Sequence, residues 1–322
     1  GVGGHARRAL LRLGEMRLGR TTGSADDELV EPWHDRVRAA VLEACPADRK
    51  RSTHLRVAEA MMTSPGADPE ALVMHLEGAG DPVRAAAFAV AAAERAEQAL
   101  AFDRAAGLYG VALAHPPADA SISELWRRRA DALVACGRGG DAAEAFVRAA
   151  DSASDATAGD VLDLRRRAAE QFLFSGRYEE GLRVMRVVLD AVGVSLPSSP
   201  RAATLSSLAG RARFLARSLG PLFLRGRRAP VSPQRLDALW TACAALSMVQ
   251  PALADAMGVQ HLLESLDLGD PSRAVRALGY EATCESSLGG SFFRERSRKL
   301  LAETARLAAE TGRPYDQAWS LM

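Results

Sequence analysis

The sequence predicts an all-α chain, a stack of helical hairpins, on three observations. The first is a repeat. A small residue (Ala105, Ala142, Gly181) is followed four positions on by a bulky one (Tyr109, Phe146, Met185), and three further on by a small or branched one (Ala112, Ala149, Val188). The offsets are 142 − 105 = 37 and 181 − 142 = 39, and the turns at Cys136-Gly137-Arg138 and Ser175-Gly176-Arg177 also lie 39 apart. The second is punctuation. Asp68-Pro69, Asp81-Pro82, Ser232-Pro233 and Asp270-Pro271 each set a capping acceptor before a proline at the first helical position, where no amide donor is needed. Gly80, Gly193, Gly269, Gly289-Gly290 and Gly312 read as stops. The third is composition. The chain is 48% hydrophobic but only 5% aromatic, and Ala and Leu carry the apolar content, which suits close helix packing rather than sheets.

A period of about 34–40 residues with A-x3-F/Y-x2-A on each second helix resembles the tetratricopeptide repeat. At the small position two helices cross so closely that only Ala or Gly fits, and the aromatic fills the gap to the next hairpin. Trp126 falls at the aromatic position of a first helix, with Leu133 and Phe172 further along equivalent first helices. The resemblance implies a TPR-like superhelix, an α-solenoid with a concave face. The alternative is a set of unrelated hairpins in an all-α domain.

Taken in order, residues 5–16 have apolar spacing for a short helix, and Arg17–Arg20 and Glu28–Glu31 flank a polar turn, TTGSADD, as in a two-stranded wing. A helix starting near Trp33 puts Val37, Val41 and Leu42 on one face. Residues 1–45 are therefore expected to be the C-terminal part of a winged-helix domain, and the chain a piece of something longer. Residues 46–192 are expected to hold repeats, with helices near 47–63, 69–79, 82–100, 103–114, 121–136, 140–152, 160–175 and 178–192, and a capping box at Ser121-x-x-Glu124. Residues 193–232 form a basic connector. The stretch 191–236 has eight Arg and no Asp or Glu. Its Leu205, Leu208, Ala212, Leu215 and Leu219 are spaced 3, 4, 3, 4, an amphipathic helical seam. Each leucine left bare forfeits about 1.5–3 kcal/mol, so the seam is expected to pack on the repeats while Arg211, Arg213, Arg217 and Arg225 face water or acids. Docking of a basic amphipathic helix to anionic lipid, nucleic acid or a partner is the competing reading. Further hairpins are expected over 233–322, near 233–249, 251–268, 271–288 and 291–311, with a last helix opened by Pro314.

Net charge is +1, so no global field draws the chain to nucleic acid or membrane. Only Lys50 and Lys299 among 41 basic residues are lysines, a genome bias rather than a binding signature. Cys45, Cys136, Cys243 and Cys284 form no CxxC pair and read as buried free thiols in a reducing cytoplasm. No apolar run reaches the roughly 18 residues of a membrane helix, so no membrane insertion is expected. Phosphate-loop, kinase, nucleophile-elbow and HExxH motifs are absent, no catalytic residue or metal site is expected, and the residues present are not expected to be an enzyme. The six His are scattered. His54 and His75 are expected to stand on helices as partner-free surface residues or capped ones.

At VEPWHDRVRAAVLEA the sequence resembles the winged-helix end of bacterial signal-transduction ATPases with numerous domains, in which an aromatic-x-H-D-x-x-R segment precedes a tetratricopeptide-like array. HLRVAEAM and ADPEALVMHLEGAGDPVRAAAFAVAAAERAEQALAFDRAAGLYGVAL are similar to the region that follows. QFLFSGRYEEGLRVMRVVLDAVGVSLPSSP and DALWTACAALSMVQPALAD resemble the C-terminal region of bacterial serine/threonine protein kinases fused to such an ATPase. The resemblance implies a regulatory and interaction region that takes a protein, peptide or small inducer on its concave face and works with upstream ATPase and kinase domains. ATP or ADP with Mg would be bound by those domains, and the fragment itself carries no cofactor. His34, Asp35 and Arg38 match the motif that senses bound nucleotide, with Trp33 at its aromatic position. Alternatively His34 and Asp35 cap the helix and Arg38 pairs with a neighbouring acid. The effector-binding region of an ATPase-type (LuxR-like) transcriptional regulator, or a stand-alone repeat scaffold, are the other expectations.

Overall fold

The computed structural model describes residues 2–22, 29–154, 156–218, 231–247 and 249–321. Among them are sixteen helices and a two-stranded sheet. The N-terminal group is α1 (Val2–Glu15), β1 (Gly19–Thr22), β2 (Leu29–Pro32) and α2 (Asp35–Ala44). The hairpins that follow are α3 (Ala47–Met62) with α4 (Pro69–Ala79), α5 (Pro82–Gln98) with α6 (Phe102–Ala114), α7 (Ile122–Ala135) with α8 (Gly139–Asp151), and α9 (Ala158–Phe174) with α10 (Tyr178–Ala191). Helix α11 (Pro200–Ser218) interrupts the series. The hairpins resume with α12 (Pro233–Leu246) and α13 (Pro251–Leu268), then α14 (Pro271–Ser287) and α15 (Gly290–Thr311), and end with α16 (Pro314–Ser320).

The β strands pair antiparallel, Gly19 opposite Pro32 and Thr22 opposite Leu29. The pairing sits later than the sequence spacing implies. Arg17 adopts a left-handed turn, φ 54°, and so cannot start a strand, while Thr21 and Thr22 are strand rather than turn. Residues 23–27, the rest of the expected turn, and Glu28, the expected start of the second strand, lie outside the described set.

Local signals explain most helix ends. Asp81, Ser232 and Asp270 accept hydrogen bonds from first-turn amides, each beside a proline at the start of its helix. Asp68 does not cap. Its carboxylate pairs with Arg95 at 3.1 Å instead. At α7 the expected capping box is half formed. Ser121 accepts from the Glu124 amide, but the Glu124 carboxylate turns to Arg127 and Arg128. The full box closes α9, between Thr157 and Asp160.

Consecutive hairpins stack, α4 on α5, α6 on α7, α8 on α9, and α12 on both α9 and α10. The repeat positions lie inside this stack. Ala105, Tyr109, Ala112, Ala142, Phe146, Ala149, Met185 and Val188 are all fully buried, and Gly181 is buried with them. Phe172 and Leu133 are buried, and Trp126 is half-buried against the same core. The small residues set the helix spacing. A Cβ on Gly181 would sit 2.6 Å from Leu173 Cγ and 3.1 Å from its backbone nitrogen, too close for either to remain where it is. Substituting Ala142→Leu is accordingly expected to overpack the α7–α8 crossing and cost about 1–3 kcal/mol. Urea unfolding reads this directly, and an unchanged midpoint would mean that α8 lies in another register.

Helix α11 departs from expectation. The 3, 4, 3 spacing of Leu205, Leu208, Ala212 and Leu215 does form a stripe, but the stripe faces away from the hairpins. Leu205 is 68% exposed and Leu208 58%, while Leu215 is half-buried and Leu219 lies outside the described residues. The buried face is Ala203, Ser207, Gly210 and Phe214, spaced 4, 3, 4. Two physical terms choose this face. Gly210 lets α11 lie against α13 so closely that a Cβ there would collide with Val259. Two arginines then reach acids on the hairpins, Arg211 to Asp255 and Glu281, and Arg217 to Asp267. Turning the helix over would bury two leucines, worth about 1.5–3 kcal/mol each. It would also strand the buried Glu281 and two half-buried acids, and breaking one buried pair already costs about 3–5 kcal/mol. The ion pairs outweigh the leucines.

Candidate functional site: the charged face of the first helices

The first helices of successive hairpins are tied together by arginine and acid side chains. Arg128 on α7 reaches Glu94 on α5 at 2.5 Å and donates to the Tyr109 hydroxyl at 3.4 Å. Tyr109 in turn donates to Glu97 at 3.0 Å. Arg167 on α9 pairs with Asp131 on α7 and lies 4.2 Å over the Phe146 ring. Arg166 on α9 donates to Thr241 on α12 at 2.8 Å, and Asp237 on α12 holds Arg273 of α14 at 3.2 Å. Acid, arginine and ring thus recur together, since Glu94, Asp131 and Glu170 are 37 and 39 residues apart, and Arg128 and Arg167 are 39 apart. A second ladder joins the second helices. Arg104 pairs with Glu70, Arg138 with Asp103 at 3.1 Å, and Arg177 with Glu144 at 2.6 Å.

Most of these groups are a third or more exposed. Such pairs contribute little stability, about 0–1 kcal/mol each. Their effect is on spacing: each pair fits only when its hairpins stack in register. The electrostatics follow the contacts. Arg127 hydrogen-bonds the Glu124 carboxylate and holds its pKa below the usual range despite some burial. Burial pushes the Tyr109 phenol up to about 12, so it stays a neutral donor to Glu97.

Between the turns before α7 and before α9 a cleft of about 770 Å³ opens beside this face. Its walls carry Ser121, Ser123, Glu124, Arg127, Asp163 and Arg167. Its arginines are already paired, Arg127 with Glu124 and Asp131 at 2.5 Å each and Arg167 with Asp131, while Asp163 is held by Arg166 at 2.8 Å. A ligand meeting Arg127 or Arg167 would have to exchange partners with the ladder, whereas Asp119 on the cleft wall has no ion pair among the described residues.

The motif at the N-terminal group looks different. His34 occupies the position before α2 and makes no capping hydrogen bond. Asp35 and Arg38 are exposed and form no ion pair among the described residues. Among the described residues neither capping by the pair His34–Asp35 nor an acid partner for Arg38 is therefore present. Val37 and Arg38 line an apolar groove of about 690 Å³ between α1, the β hairpin and α2, with Leu13, Leu18, Val30 and Val41. Trp33 is exposed, and its amide donates to Leu18 carbonyl at 3.1 Å.

The histidines and thiols need correction. His54 and His75 face each other across α3 and α4, with Nδ1 atoms 3.0 Å apart, room being left by Gly78. Burial and the neighbouring His54 lower the His75 pKa. No group of three or more metal-ligating side chains occurs among the described residues. All four cysteines are free, but only Cys243 is buried; the others are half-buried. Sequence reasoning also missed the aromatic group Trp240, His261, Tyr280 and Trp319, in which Trp240 lies 5.3–6.1 Å from the other three rings. Its members come from four helices, so no single spacing signals it. The arginine–acid ladder was within reach, because its residues recur at the same offsets as the small positions.

No family model matches this chain, and no curated protein matches it.

Proposed function

We propose that this chain is a helical-repeat interaction region, and that the charged face of α5, α7 and α9 receives an extended peptide or protein segment beside the cleft at residues 118–167. The observation that supports this reading most is the ladder itself. It keeps a row of donors and acceptors at a fixed spacing on one face, which matches the needs of a ligand with a repeating backbone. The sequence resemblance extends the proposal. The chain would serve as the regulatory end of a bacterial multidomain signalling ATPase of the kind fused to serine/threonine protein kinases, passing ligand binding on to domains elsewhere in the polypeptide.

The test is selection of peptides from a random display library against the folded chain. Selected peptides are expected to bind the variants Arg127→Ser and Asp163→Ser at least about tenfold more weakly, a loss of about 1.4 kcal/mol. Both side chains sit on the cleft wall and are partly exposed, so the fold should survive, which circular dichroism checks. Peptides that bind these variants and the parent equally well would remove this face as the binding site.

A further inference from the structure

The outward stripe of α11 is the feature that neither the hairpin stack nor the proposed peptide face uses. Leu205, Leu208, Ala209, Ala212 and Ala216 are all exposed, at the spacing of one helical face. Among the described residues α11 packs mainly on α13. It therefore stands as a ridge, with its buried face pinned by Phe214 and Arg211 and its apolar face turned to solvent. Arg201 lies at the N-terminal end of the stripe and Arg213 on its flank. Neither forms an ion pair among the described residues. The acids that α13 brings closest are already engaged, Asp255 by Arg211, Asp267 by Arg217 and Glu264 by Arg235. The exposed surface of α11 is thus apolar with an uncompensated positive rim, and the chain from 191 to 236 supplies no acid to cancel it.

We propose that this face of α11 is an interfacial docking surface for a membrane leaflet containing anionic lipid. Shape favours lipid over a partner helix. An apolar partner helix is received by a groove, whereas a raised ridge with one apolar stripe and flanking arginines suits a plane into which leucines sink while the cations stay among the headgroups. This is adsorption, not insertion: no described helix is long and apolar enough to cross a membrane. Because the opposite face is locked to α13 and α14, α11 would dock already folded, without the ordering cost of a free amphipathic peptide. The consequence is localisation of the repeat region to an anionic surface, independent of what the first helices bind.

Vesicle co-sedimentation tests it, using the whole chain with phosphatidylcholine vesicles, with and without phosphatidylglycerol, at low and moderate salt. Binding is expected only with the anionic lipid, falling as salt rises. The variant Leu205→Ser/Leu208→Ser should bind at least about tenfold more weakly, and Arg201→Ser/Arg213→Ser should lose most of the salt-sensitive part. All four side chains are exposed, so circular dichroism and melting temperature should not change. Three results would overturn the proposal. One is absence of binding to the anionic vesicles. Another is binding indifferent to the leucine pair, which would locate it elsewhere. The third is a stripe-dependent dimer in analytical ultracentrifugation together with no vesicle binding, which would make a second copy of this chain the occupant.

Discussion

Replacing Arg211 with methionine is expected to destabilise the chain by about 3–5 kcal/mol, enough to unfold the region around α11 at ambient temperature. The guanidinium is the hub of a network that joins three helices. Its Nε and Nη2 donate to Glu281 at 2.8 and 3.2 Å, its Nη1 and Nη2 donate to Asp255 at 2.7 and 2.5 Å, and Nη1 also donates to Ser207 at 3.0 Å. Glu281 is only 1% exposed. Burial pushes its carboxyl up, and Arg211 is what pulls it back toward the ionised form. Methionine fills similar space, so the loss is electrostatic and polar rather than a cavity. Denaturant unfolding measures it. A second variant, Arg211→Met/Glu281→Gln, separates the terms. If the cost is an orphaned buried charge, the double variant recovers a substantial part of it. A double variant as unstable as the single one would place the cost in lost packing instead.

Acid is expected to unfold the C-terminal hairpins through His261. This side chain is buried between α12, α13 and α14, 5.5 Å from the Trp240 ring, and its Nε2 faces the Ser265 hydroxyl at 3.4 Å. Burial first, and then the positive charges of Arg276 and Arg273, push its pKa down from 6.5 to about 3. Because the folded value lies below the unfolded one, the protein holds this stability in full above pH 6.5 and loses it as pH falls toward about 3. The full span is worth on the order of 5 kcal/mol by linkage. Carboxylates held by arginine, among them Glu124 and Glu303, add their own loss only around and below the ordinary glutamate value of 4.5. Between pH 6.5 and 4.5 His75 acts in the same direction as His261, while Glu281, whose buried carboxyl is raised above 4.5, acts in the opposite one. Melting temperatures across that window should fall for the parent and stay much flatter for His261→Gln. Equal slopes in the two proteins would show that His261 is not the residue that titrates.

The hairpins were readable from the sequence because their determinants are local. Proline after a capping residue, glycine at a helix end, and small residues at a fixed offset each act within one or two turns. The nine small and bulky positions from Ala105 to Val188 sit in the core for the same reason. The orientation of α11 was not readable this way. Its period was plain, but which face is buried depends on Gly210 meeting Val259 and on Arg211 meeting Glu281, residues that are 49 and 70 positions apart. Hydrophobicity alone counts the leucines and misses the cost of leaving a distant buried acid without a counterion. The pairing of His54 with His75 was hidden likewise, since it needs the crossing of α3 and α4 and the absence of a side chain at Gly78. The candidate site lies between these cases. Its arginines and acids follow the repeat spacing, but their mutual contacts emerge only when hairpins stack.

The α11 anchor also changes how the chain comes apart. Up to α10 each hairpin touches chiefly its neighbours, so that part behaves as a one-dimensional array able to fray from an end, one unit after another. Arg211 bolts α11 to α13 and α14 at once, and Arg235 adds a link from α12 to α13 and back to the carbonyl of Val192. Losing any one of these helices exposes polar groups on several others. The second half is therefore expected to open more cooperatively than the first, so that opening which reaches α12 spreads to α11, α13 and α14.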